Sequence, residues 1–200
     1  MHAARRYSRL LLNIKADFVF SPLIRIFAHC KNNITTMEKR ITDDALRQGA
    51  EEGMDAFLKV FTDAYLEAID GELTAETMSR LTGTQHALLG YHFFHEEVMD
   101  GGFCQLIYNG YGPYIFDNPF AKAMRLWGLK EFSKVLYKAK EIYDEHKRDL
   151  TRERSDEEFM AMYEQYSQFD DLEDYFIENE EEITATIAYY VDEHIEEFLI

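Results

Sequence analysis

The last 46 residues of this chain, 155–200, contain 16 aspartates and glutamates and no lysine or arginine. Burying an unpaired carboxylate costs several kcal/mol. Such a segment therefore folds only if its apolar side chains gather on one side and leave the acids in water. The apolar residues are spaced for this. Leu172, Tyr175 and Phe176, then Ile183, Ile187, Tyr190, Val191, His194, Ile195 and Phe198 recur three or four positions apart, as on one face of a helix. Ser155 with Glu158, and Asn179 with Glu182, have the spacing of capping boxes. The pattern predicts helices over about 156–168, 171–178 and 180–198.

The same period runs through the residues before it. Thr42 caps a helix with Asp43 and Asp44 in its first turn, where acids suit the helix dipole. Its stripe is Leu46, Ala50, Met54, Phe57, Leu58, Phe61, Tyr65 and Ile69, and Gly71 ends it. Thr74 opens a short helix to Leu81. A second helix follows the break at Gly83 and runs through Val98. The stretch Asp100 to Pro113 reads as a turn, a short helix around Phe103 to Tyr108 and a loop. Asn118-Pro119 supplies a cap and a first-turn proline for a helix ending at Gly128. The next helix spans about 130–149, with Val135, Leu136, Ala139, Ile142, Tyr143 and His146 inward. With three prolines, ten glycines and little strand-like alternation, the fold class is all-α. We expect a single compact multi-helix domain over 41–200, with short loops and acidic C-terminal helices. Cys30 and Cys104 form neither a disulfide framework nor a zinc pattern; a reducing compartment and burial as small hydrophobes suit both.

Residues 1–40 differ from the rest, with eight basic and two acidic residues. Arg5, Arg6 and Arg9 precede an apolar stretch interrupted by Lys15 and Asp17, too charged for a transmembrane helix. Three readings stay open: a basic amphipathic arm, a targeting segment, or an untranslated leader with Met37 as the true start. In each, this is an extension of the 41–200 domain.

The formal net charge is −17. Residues 41–118 carry −11, residues 119–154 carry +4 and residues 155–200 carry −16. A field of this sign repels nucleic acid and anionic membrane and attracts basic proteins. The candidate binding residues are Asp170, Asp171, Glu173, Asp174, Glu178, Glu180, Glu181, Glu182, Asp192, Glu193, Glu196 and Glu197. A last helix of about 18 residues is about 27 Å long, so its seven acids average one charge per roughly 4 Å. That is near the roughly 3.4 Å per charge along one DNA strand. Residues 183–191 carry no acid, so the charges fall in two clusters.

Other constellations are weaker. His92 and Glu96 stand four apart on one predicted helix with His95 beside them, a spacing that can hold a metal, but no third ligand is evident. Gly101-Gly102-Phe103 and Asn109-Gly110-Tyr111-Gly112-Pro113 lack the Lys-Ser/Thr of a phosphate loop. Glycines needing positive φ explain them better. The basic block Lys122, Arg125, Lys130, Lys134, Lys138 and Lys140 is flanked by acid on both sides, so it answers the protein's own acids or those of a second subunit. No Ser-His-Asp or Cys-His arrangement is legible, and nothing calls for a cofactor or a resident metal.

The run Glu97-Val98-Met99-Asp100-Gly101-Gly102-Phe103-Cys104-Gln105-Leu106-Ile107-Tyr108-Asn109-Gly110-Tyr111-Gly112 resembles the signature of the bacterial DNA mimic protein nineteen-like family. That signature is an acid followed by Asn/Asp-Gly-Gly-Phe-x-Gln and an aromatic-Asn-x-x-Gly stretch. The resemblance covers about residues 42–198. It implies an all-helical fold and a homodimer. It also implies, from one member, surface carboxylates that imitate DNA phosphates and occupy a transcription factor or a histone-like protein. The signature residues Gly101, Gly102, Phe103, Gln105, Asn109 and Gly112 look structural.

These observations lead to a cytoplasmic, non-enzymatic, DNA-mimic-like protein that presents carboxylates to a basic DNA-binding protein. The alternatives are an immunity-type inhibitor of a basic toxin or nuclease, and a metal-binding enzyme using His92, His95 and Glu96.

Overall fold

A computed structural model describes residues 41–200; the expectations for residues 1–40, Cys30 among them, lie outside the described residues. Ten helices follow in order, with no strand among the described residues. They are α1 (Asp43–Glu52), α2 (Met54–Ala68), α3 (Ala75–Met78), α4 (Gly83–Tyr108), α5 (Gly112–Phe116), α6 (Phe120–Leu126), α7 (Lys130–Leu150), α8 (Asp156–Gln165), α9 (Asp170–Glu193) and α10 (Ile195–Phe198). A 3-10 turn at Ser167–Phe169 joins α8 to α9.

The expected caps at Thr42, Thr74 and Ser155 are present. Each side-chain oxygen accepts from a backbone N–H of the first turn, and Thr74 and Ser155 complete capping boxes. Gly71, at φ +70, sends its N–H back to the Leu66 carbonyl and closes α2. The last predicted helix breaks at His194, which separates α9 from α10, and three other boundaries depart from the sequence pattern. The first predicted helix is broken at Gly53, whose φ of +131 and ψ of 177 end α1 and start α2. Asn118 does not cap α6. Its amide donates to the Pro113 and Tyr114 carbonyls and finishes α5, and Pro119 itself takes the cap position. The Asn179–Glu182 box does not form either. Asn179 donates to the Tyr175 carbonyl inside an unbroken α9, because a continuous helix keeps Phe176 and Ile183 in one core.

That core centres on α4. The Phe94 ring meets Phe103 farther along α4, Phe120 of α6, Phe132 of α7 and Phe176 of α9, with centroids 4.9–6.0 Å apart. Each such ring contributes about 1.5–3 kcal/mol by leaving water. Cys104 is buried among them, as expected. The C-terminus is tied down by two long-range bonds. The Tyr65 hydroxyl donates to the Phe198 carbonyl and the Gln85 amide to the Leu199 carbonyl. No helix of the described residues is long and apolar enough to cross a membrane.

Candidate functional site

α9 is 24 residues long, about 36 Å, and two faces divide it. Leu172, Phe176, Ile183, Ile187 and Val191 are buried on one. At roughly 100° per residue, Asp170, Asp171, Asp174, Glu178, Glu181, Glu182, Asp192 and Glu193 fall in an arc of about 140° on the other. All eight are exposed, and Glu196 and Glu197 on α10 are exposed too. No lysine or arginine of the described residues forms an ion pair with any of these ten. Two residues of the basic block pair with acids elsewhere than on α9. Lys134 pairs with Glu131, and Lys140 with Asp117 and Asp144. In the acid-free stretch between Glu182 and Asp192 the same arc carries Tyr189, 66% exposed. The sequence pattern singled out Tyr190 and left Tyr189 unremarked.

Two of the twelve candidate acids face inward. The Glu173 carboxylate accepts the Phe103 N–H at 2.7 Å, and burial pushes its pKa up. Glu180 Oε1 lies 2.7 Å from His95 Nε2 and accepts from the Thr184 hydroxyl at 2.8 Å. Both fall on or beside the buried stripe of an unbroken helix.

Glu173 belongs to the α4 kink, which the signature residues build. Gly101 (φ −163) and Gly102 (φ +69, ψ −171) interrupt the helical path. Side chains then clamp the break. Gln105 donates to Asp100 and Glu97, and Asn109 donates to Glu97 at 2.7 Å. The Tyr163 hydroxyl donates to the Gly101 carbonyl. Phe103, freed by the kink, stacks on Phe169. A Cβ on Gly112 would lie 2.7 Å from the Tyr143 ring.

His92 and His95 line a cleft of about 550 Å³ between α2 and α4. His92 Nε2 lies 3.8 Å from Glu96 Oε2, the contact expected from their spacing. Burial lowers the His92 pKa and favours its neutral form. His95 turns instead to Glu180, and with Asp55 of α2 these form a three-element cluster. Spacing along one helix gave no sign of Asp55, because the three residues meet only in the tertiary fold.

Comparison with known proteins bears on both surfaces. Residues 79–194 match the family described as DMP19-like protein. The chain is also 33% identical over 144 residues to the DNA mimic protein DMP19 of Neisseria meningitidis serogroup B, covering 72% of this chain and 87% of that protein. The chain belongs to the DMP19-like family. The matched span runs from just before α4 through His194. It holds the kink, His92, His95 and all eight arc acids of α9. Asp55, Glu196 and Glu197 lie outside it.

Proposed function

We propose that the exposed face of α9, extended by α10, takes the place of duplex DNA for a basic DNA-binding protein, a transcription factor or a histone-like protein. The observation that carries this reading is the arc itself: eight exposed carboxylates on one side of a 24-residue helix with no Lys or Arg ion-pair partner among the described residues. One negative charge per roughly 4.5 Å is sparser than one DNA strand at about 3.4 Å, yet of the same order. Tyr189 gives this face an aromatic anchor where charge is missing, and such residues dominate binding energy at interface centres. The name of the Neisseria relative supports the same role. A binding role of this kind is non-enzymatic and belongs in the cytoplasm, and the family resemblance extends it to a homodimer, which sedimentation velocity checks.

The test is competition. A fluorescent duplex bound to a purified histone-like protein is titrated with this chain. The wild type displaces the duplex, and more weakly as salt rises. Replacing Asp174, Glu178, Glu181 and Glu182 by Asn or Gln removes about 0.5 kcal/mol each, as exposed charges do. The sum of about 2 kcal/mol is about 30-fold in affinity. A quadruple variant that stays folded and competes as well as the wild type refutes the proposal. Failure to displace DNA, together with inhibition of a basic nuclease, transfers the face to the immunity-type reading.

A further inference from the structure

The cleft between α2 and α4 uses none of the arc acids. Two of its lining residues, Asp55 and His95, meet Glu180 of α9, and one donor atom from each of the three lies within 4.8 Å of the others. Each comes from a different helix. Asp55 stands in the first turn of α2, His95 midway along α4 and Glu180 midway along α9. Two of the three are held in place. The Glu180 carboxylate is oriented by Thr184, whose hydroxyl is itself 2.6 Å from the Tyr91 hydroxyl. The His95 ring sits between the rings of Tyr91 and Phe176, with centroids 5.8 and 6.0 Å away.

Charge is the unresolved quantity here. His95 Nε2 contacts one carboxylate, Glu180, and a second, Asp55, converges on the same point. The cleft's one lysine, Lys59, is paired with Asp63. Two carboxylates and an imidazole focused on one spot lack a charge that a divalent cation supplies. We propose that Asp55, His95 and Glu180 form a binding site for a divalent transition-metal cation, with zinc the best fit. One nitrogen and two oxygen donors suit zinc, cobalt or manganese better than calcium or magnesium, which prefer oxygen alone. Three protein ligands leave a fourth position open toward the cleft. The Thr184–Glu180 bond is the outer-shell support that such ligands carry. His92 and Glu96, on the cleft wall, are outside this ligand set. The site stands apart from the acidic face, and its failure leaves the DNA-mimic reading intact.

The test uses the full chain, stripped with a chelator and without an affinity tag. Zinc binding is measured by competition with a chromophoric chelator, and cobalt loading by its visible absorption. One tight site per chain is expected, with a d–d band for bound cobalt and little response to magnesium. Asp55→Asn and His95→Ala should each weaken zinc binding by about 100-fold or more, the upper end of what even outer-shell changes cost. Asp55 is exposed, so its variant stays folded if His95→Ala does not. Glu181→Gln with Glu182→Gln, on the arc, should leave the tight site unchanged. Absence of a tight site in the wild type, or affinity for zinc unaltered in Asp55→Asn, overturns the assignment.

Discussion

Gly102 and Glu173 make one device, and their coupling can be computed from its geometry. Gly102 sits at φ +69 and ψ −171, a region essentially reserved for glycine, where another residue costs about 1–3 kcal/mol. A Cβ there would also fall 2.3 Å from Glu173 Oε1. The carboxylate would have to leave, and the buried Phe103 N–H would lose its acceptor at a further cost of about 1–3 kcal/mol. Gly102→Ala should therefore destabilise by about 2–6 kcal/mol, a large part of the 5–15 kcal/mol that a domain has. Glu173→Ala loses the same hydrogen bond but incurs no backbone strain. In the Glu173→Ala background the added methyl meets no carboxylate, so Gly102→Ala should then cost only the strain. The double-mutant cycle should show a coupling of about 1–3 kcal/mol, the hydrogen bond counted once instead of twice. Urea unfolding followed by the fluorescence of the single, buried Trp127 measures all four corners. Strict additivity of the two substitutions would refute the cradle argument.

Three further outcomes are expected. Gly112→Ala should cost about 1–3 kcal/mol in the same assay, because its methyl would press on the fully buried Tyr143 ring; a neutral result would mean that the ring gives way freely. Burial raises the pKa of both Glu97 and Glu173 above their unfolded values. Their contribution to stability is therefore fully present below the unfolded carboxylate pKa and is lost as pH rises through the folded values. Glu97→Gln with Glu173→Gln should flatten that slope in melts collected from acid to neutral pH, and an unchanged slope would refute it. Among the arc acids, the five like-charge pairs at three- and four-residue spacing between Asp170 and Glu182 cost about 1–2 kcal/mol in all. Screening them with about 0.5 M salt should raise the melting temperature by about 2–8 °C, and a fall would show that attractions dominate that face.

Much of the fold was legible in the sequence because its signals are local. Caps at Thr42, Thr74 and Ser155, the stop at Gly71 and the apolar stripes act within one or two turns. The boundary misread at Asn179 has a plain physical origin. A capping box at Asn179 is worth about 1 kcal/mol, while an unbroken α9 keeps both Phe176 and Ile183 buried. That boundary had a consequence for the site. On a helix starting at Asn179, Glu180 is a first-turn acid facing solvent. On an unbroken helix it stands four residues after Phe176 and three before Ile183, on the buried face. Glu173, three before Phe176, follows by the same reasoning. The partnership with Asp55 left no trace in the sequence, since 125 positions separate it from Glu180.

The two faces of α9 are linked through this register. A helix whose outer surface repels itself keeps its shape only if the inner surface holds it along its whole length. The inner contacts do so at intervals: Glu173 on the α4 kink, Phe176 in the core, Glu180 on His95, then Ile187 and Val191 toward the C-terminus. A charged face held rigid before it meets a partner loses less conformational freedom on binding than a flexible acidic tail of the same charge. A fully disordered acidic segment would supply the same electrostatic steering at less cost in folding. What the folded helix adds is fixed spacing, about 1.5 Å of rise per residue between successive carboxylates. The distinction is testable in the competition assay. Ile183→Asp, which should loosen the middle of α9 while adding negative charge, should compete less well than the wild type despite being more acidic. If it competes better, total charge and not its arrangement governs the interaction.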